Sequence, residues 1–197
     1  MNVGKNKHEG YWNQDYDMTG KGILISEKGS IYEGYFKDGK LQGRARICYT
    51  NGDVYIGEMV NGVMQGKGQE FFEDGNSYIG DYKSNKFNGK GIYLFASGQR
   101  YEGDFVDSKF EGMGTLTWSN GDSWTGPNVN GKLHGTGKWY TARTGKTRDQ
   151  KFQDDKMIDW SLENLIQFTN TLTSTPSSHI NPNLTDIITP MGFWGFG

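Results

Sequence analysis

An aromatic residue recurs every 23 positions through the middle of this 197-residue chain: Tyr32, Tyr55, Tyr78, Tyr101 and Trp124. Each is followed two residues later by glycine, at Gly34, Gly57, Gly80, Gly103 and Gly126. Eleven residues after each aromatic comes a second glycine: Gly43, Gly66, Gly89, Gly112 and Gly135. Two further on stands a third, at Gly68, Gly91, Gly114 and Gly137, with Ala45 in the first of these copies. An earlier copy starts at His8, with Gly10, Gly20 and Gly22, and holds one extra residue. Several positions returning together at one such period mark stacked supersecondary units.

Within the copy from Tyr55, a strand is expected over about Tyr55 to Met59, with a turn at Val60-Asn61-Gly62. A second strand is expected over about Met64 to Phe72, with a turn at Asp74-Gly75. The second turn reads Lys28-Gly29, Asn51-Gly52, Asp74-Gly75, Ser97-Gly98 and Asn120-Gly121. Asn-Gly and Asp-Gly are strong hairpin signals, because both central residues of the tight turn need positive φ. The first turn carries Gly39, Gly62, Asn85, Ser108 and Gly131, mostly residues that tolerate the left-handed region. The 30 glycines against 4 prolines suit many tight turns rather than a proline-rich linker.

Strand alternation separates two faces. One carries the leading aromatic, its glycine, and Trp12, Phe36, Met59, Tyr82 and Phe105 four residues on. The second strand adds Met18, Leu41, Met64, Phe87, Phe110 and Leu133, then the paired glycines, then Leu24, Ile47, Tyr93, Leu116 and Trp139. Glu70 interrupts that last row. The other face carries Glu33, Glu58, Asp81, Glu102 and Asp104 beside Lys21, Arg44, Lys67 and Lys90. A glycine on an apolar strand face lets a neighbouring ring lie flat on the backbone. The expected fold is therefore all-β: an elongated, single-layer antiparallel array of β-hairpins over residues 1–158.

The pattern decays after Trp139, with Thr144-Gly145 as a late turn and Phe152 on a closing edge strand. Residues 159–197 read as a short C-terminal helix and an extended tail. Ser161 is the N-cap, Trp160 and Leu165 form a hydrophobic staple, and Leu162, Leu165, Ile166, Thr169 and Leu172 share one face. The tail is rich in Ser, Thr, Asn and Pro and ends on an aromatic cluster, Phe193, Trp194 and Phe196.

This grammar of Tyr-x-Gly, Gly-x-Gly and a turn glycine resembles the MORN repeat (membrane occupation and recognition nexus) over about His8 to Gly145, in six copies. It departs from the pattern at His8, at Ala45, and at Gly126-Pro127-Asn128, where an aromatic is expected. The resemblance implies an array of β-hairpins serving as scaffold or docking surface. Members include radial-spoke-head and other ciliary proteins, junctional membrane tethers, phosphoinositide-kinase regulatory regions and myosin-tail adaptors. In some relatives the array precedes a separate catalytic domain. A slightly expanded first copy and a late Thr-Gly insertion resemble the radial-spoke type.

Residue chemistry argues against an enzyme, a metal site or a cofactor. His8, His134 and His179 are the only histidines, and His134 fills the slot of Gln42, Gln65, Asn88 and Glu111, a polar place beside the turn. No Cys/His spacing suggests a metal. Gly66-Lys67-Gly68 lacks the strand–loop–helix context and Gly-Lys-Ser/Thr ending of a phosphate loop. The net charge of −2 offers no general attraction to nucleic acid or anionic lipid. The lone Cys48, the absence of an apolar run of membrane-spanning length and a polar N-terminus fit a cytoplasmic protein. The row Lys21, Arg44, Lys67, Lys90 is read as cross-strand pairing with the acidic row, with a lipid-headgroup strip as the alternative.

The expected role is a non-enzymatic docking scaffold in a cytoskeletal assembly, with a cilium or flagellum axoneme as its expected location. Its partners are other proteins of that assembly. The runner-up is a peripheral membrane adaptor for anionic lipid. The candidate partner-binding residues are Tyr55, Tyr78, Tyr82, Phe87, Tyr101, Phe105 and Phe110 on the aromatic face, with Phe193, Trp194 and Phe196 in the tail. Two roles are open for the face: receiving a partner helix or peptide, or holding neighbouring repeats together.

Overall fold

The computed structural model describes residues 2, 3 and 6–158. The helix and tail read from residues 159–197, with Phe193, Trp194 and Phe196, lie outside the described residues. The described chain forms one open antiparallel sheet. Its strands are β1 (Asn2–Val3), β2 (Asn6–Trp12), β3 (Met18–Ile25), β4 (Ile31–Lys37), β5 (Lys40–Cys48), β6 (Val54–Val60), β7 (Val63–Phe71) and β8 (Ser77–Lys83). They continue as β9 (Lys86–Leu94), β10 (Arg100–Val106), β11 (Lys109–Thr117), β12 (Ser123–Val129), β13 (Lys132–Leu133), β14 (Gly135–Thr141), β15 (Lys146–Gln153) and β16 (Lys156–Ile158). Each strand pairs with the next in sequence, except that β13 and β14 both pair with β12. The all-β hairpin array is thus as the period predicts.

Turn chemistry explains the meander, though not as the Asn-Gly signal suggests. Within the hairpins β4–β5, β6–β7, β8–β9 and β10–β11, both central residues have positive φ: Asp38 and Gly39, Asn61 and Gly62, Ser84 and Asn85, Asp107 and Ser108. That is the two-residue geometry whose twist matches the flanking strands. Between hairpins, only the glycine takes positive φ, as at Gly52 and Gly75. There Gly52 N–H donates to the Tyr49 carbonyl (3.1 Å) and Tyr49 N–H to the Asp53 carbonyl (2.9 Å). This is a three-residue loop ending on a left-handed glycine. The longer loop supplies Asx side chains that tie one turn to the next. Asp53, Asn76 and Asp122 accept the amides of Glu73, Ala96 and Ala142 at 2.8–2.9 Å.

The two later glycines of each copy do different work. Gly66, Gly89 and Gly112 have positive φ at a bulge, where the second strand carries two extra residues. An even insertion preserves the alternation of faces beyond it. These glycines stand directly across from Tyr82, Phe105 and Asn128 of the following strand, in the register of the aromatic face as expected, while their positive φ turns an added Cβ toward Glu58, Asp81 and Asp104 on the other face. The glycines two places further on are in register with one another. Gly10, Gly22, Gly34, Ala45, Gly57, Gly68, Gly80, Gly91, Gly103, Gly114 and Gly126 form one unbroken row across β2 to β12.

The leading rings lie on this row. A Cβ on Gly91 would stand 2.5 Å from Tyr78 Cε2, and one on Gly114 would stand 2.6 Å from Tyr101 Cε2. Each ring covers its own strand's glycine and the paired glycine of the same hairpin, and at Gly68 the Tyr82 ring of the next hairpin adds a second cover. The phenol is satisfied locally: Tyr55, Tyr78 and Tyr101 donate to the carbonyls of Glu58, Asp81 and Asp104 at 2.9, 2.9 and 3.1 Å. Burying such a ring contributes up to about 4–6 kcal/mol, more than the roughly 0.5–1 kcal/mol a strand glycine costs. Where Ala45 replaces glycine, its methyl and Leu41 Cδ2 occupy the space above Gly34, and Tyr32 is only half-buried.

Beyond β12 the row passes to Gly137, covered with Gly126 by Trp124. It ends at buried Gln150, whose side chain donates to the Ile158 carbonyl at 2.9 Å. Phe152 is buried against Trp124 at 4.7 Å between ring centroids. It does not sit on the closing strand, since β16 pairs beyond it.

Candidate partner-binding face

The aromatic face is built in two tiers. Tyr55, Tyr82, Tyr78, Phe105 and Tyr101 make an edge-to-face file, with centroids 5.1–5.3 Å apart at each step. That spacing suits the ring quadrupoles, positive edge to negative face. All five are buried, at 3% exposure or less. They bind hairpin to hairpin.

The upper tier is accessible. Phe87 stacks on Tyr78 at 3.7 Å and Phe110 on Tyr101 at 3.8 Å, both half-buried. Phe72 meets Phe87 at 6.4 Å and Tyr93 at 6.2 Å; Phe95 meets Tyr93 at 4.8 Å and Phe110 at 6.2 Å. Together with Glu70 these rings line a trough of roughly 440 Å³. Of the residues expected at this surface, the structure brings Phe87 and Phe110 to it, sets Phe105 in its floor, and places Tyr55, Tyr78, Tyr82 and Tyr101 beneath it. Sequence reasoning missed Phe72 and Phe95. The period held the signal, because Tyr49, Phe72, Phe95 and Trp118 repeat at 23 residues two places beyond the Glu70 row.

Glu70 itself sits directly across from Tyr55 on one side and Tyr78 on the other. Its carboxylate accepts a hydrogen bond from the Tyr82 hydroxyl at 3.1 Å. Burial pushes the carboxyl above the ordinary range, the phenol hydrogen bond opposes that, and Asp53 adds a further push upward. Burial likewise raises the Tyr49 phenol to about 12, with Glu70 contributing.

The opposite face carries the charges. Lys67 pairs with Asp81 at 2.6 Å and Lys90 with Asp104 at 2.7 Å, each directly across the strand pair. A larger groove of roughly 710 Å³ lies there, along the backs of the glycines. Its two lysines are already matched by carboxylates, as the cross-strand reading expects. His134 stands 3.5 Å from Asp154 in the following turn. The matching Gln42, Gln65 and Glu111 accept amides of the next turn at 2.9, 3.3 and 2.9 Å, which is the structural role of that slot.

A single-layer sheet of repeated hairpins, pinned by rings on a glycine row and open on its aromatic side, defines a repeat-array protein. The MORN repeat family model matches residues 32–54, 55–77, 78–100, 101–123 and 129–142. These matches cover more than half of the chain, which belongs to the MORN-repeat family. The gap in the match falls on residues 124–128, where Pro127 and Asn128 depart from the pattern, yet β12 and its ring-on-glycine contact persist there. Hairpins also precede and follow the matched span.

No curated protein matches the chain significantly. Among solved structures, similarity is found to the SAS-4 (dCPAP) TCP domain of Drosophila melanogaster, solved with a proline-rich motif of Ana2. The identity is 14%, coverage 74% of this chain and 90% of that one, and the TM-score 0.34. The G-box domain of the microcephaly protein CPAP gives 12%, 75%, 99% and 0.35 in the same order. The TCP10 domain of Danio rerio CPAP gives 14%, 76%, 91% and 0.23. At these scores the likeness bears on neither function nor partner.

Proposed function

We propose that the chain is a non-enzymatic docking scaffold of a cytoskeletal assembly, a ciliary or flagellar axoneme complex, and that a partner helix or extended peptide lies on the upper aromatic tier. The observation that carries this reading is the trough of Phe72, Phe87, Tyr93, Phe95 and Phe110, half-exposed above a fully buried file. A contiguous apolar surface of this kind is what an amphipathic partner covers with its own anchors. The lipid-adaptor alternative draws less support, because Lys67 and Lys90 are matched by carboxylates.

Photocrosslinking in cells tests the proposal. Phe95→p-benzoylphenylalanine is expected to join the full-length chain to one cytoskeletal protein, and Met113→p-benzoylphenylalanine, on the opposite face, is not. Equal products from both positions, or recovery of the native protein only as a free monomer, would overturn it.

A further inference from the structure

We propose that Glu70 and the rings around it form a subsite for the guanidinium of an arginine side chain presented by the docked partner. The inference rests on the docking reading and specifies the chemistry of its central contact. At the Glu70 slot the other copies hold Leu24, Ile47, Tyr93, Leu116 and Trp139, all of which bury at lower cost than a carboxylate. A carboxylate on this face therefore opposes the packing logic of the array. Among the described residues no cation pairs with it, and the Tyr82 hydroxyl is its one hydrogen-bond partner. Buried carboxylates are ordinarily paired, so an open acceptor in an accessible aromatic trough is a site awaiting a donor.

The surroundings select the donor. Phe72, Phe87 and Tyr93 offer π faces and edges within the same trough, and Asp53 and Asp74 on the neighbouring turns add negative potential near Glu70 and Tyr93. A guanidinium is planar, stacks on rings, and donates in its own plane to a carboxylate. An ammonium is compact and strongly hydrated, and gives up more water to enter such a place.

The test uses the full chain, labelled with nitrogen-15, and titrates it at constant salt with N-acetyl-arginine methylamide and its neutral isostere N-acetyl-citrulline methylamide. The arginine probe is expected to shift the amides of residues 70–72, 87 and 93–95 saturably, and citrulline to bind about tenfold more weakly. Glu70→Leu, which restores the residue type of the other copies, and Glu70→Gln, which keeps the shape, are expected to remove the preference while the rest of the spectrum stands. Equal binding of arginine and citrulline, or an unchanged preference in both variants, overturns the inference. A lysine probe that binds as tightly as arginine overturns the choice of guanidinium. Glu70-dependent flotation with phosphatidylcholine vesicles overturns it in favour of a lipid headgroup. A Phe95 crosslink without arginine preference leaves docking standing and removes the subsite. Arginine preference without the crosslink does the reverse.

Discussion

Glycine serves two physical purposes in this chain, and the same substitution separates them. Gly91 needs its missing side chain, since a Cβ would stand 2.5 Å from Tyr78 Cε2, and the ring is pinned by its hydrogen bond to Asp81. Gly43 needs its conformation, with φ at 73° and nothing within 4 Å of an added Cβ. Gly91→Ala is expected to cost about 2–3 kcal/mol by overpacking. Gly43→Ala is expected to cost about 1–2 kcal/mol through left-handed strain alone. Urea unfolding with the two midpoints compared would check the order, and a more damaging Gly43→Ala would refute it. Both glycines were visible in the sequence at fixed offsets. Their division was not, because spacing alone does not show which one sits at the two-residue bulge. Glu70 was visible too, as a break in a row, but its bond to Tyr82 depends on a neighbouring hairpin.

Three central hairpins each hold a leading phenol against the sheet, those of Tyr55, Tyr78 and Tyr101. Burial carries Tyr55, Tyr78, Tyr82 and Tyr101 far above the ordinary tyrosine value of 10.0, and brings Tyr49 to about 12. Because these folded-state values are raised, the stability linked to them is complete below pH 10 and is lost as pH rises beyond it. The array is therefore expected to unfold cooperatively at alkaline pH, with tyrosinate absorbance at 295 nm rising together with loss of the sheet signal. A large absorbance rise at pH 10 with the sheet intact would show that these phenols are accessible. The hairpins themselves were legible from alternation and turn residues. The exchange of turn types was not, since Asn-Gly and Asp-Gly suit both a two-residue turn and a three-residue loop with a left-handed glycine. Loop length decides, and beside the three-residue loops Asp53 and Asn76 reach the amides of Glu73 and Ala96 in the next turn.

At the scale of the whole described sheet, each hairpin rests on the hairpins next to it in sequence. Stability is then close to a sum of hairpin terms and nearest-neighbour interfaces. Deleting residues 1–30 is expected to lower the melting temperature modestly while circular dichroism per residue stays near that of the parent. Collapse of the whole signal would show instead that the first hairpin nucleates the rest. The period revealed the array's extent but not which rings would face a partner. It ranks positions by recurrence, and the most recurrent rings are those drawn deepest onto the glycine row.

The first hairpin carries its surplus residue in the loop between Trp12 and Met18, where Asn13 accepts the amides of Asp15 and Asp17. Elsewhere a lone inserted residue would turn a strand inside out and break the glycine file at that point. Genes for such arrays are thereby expected to lengthen or shorten by whole modules, with single-codon changes tolerated only at hairpin tips. Variation in length among descendants of this chain would come in steps, as links are added to a chain-mail strip.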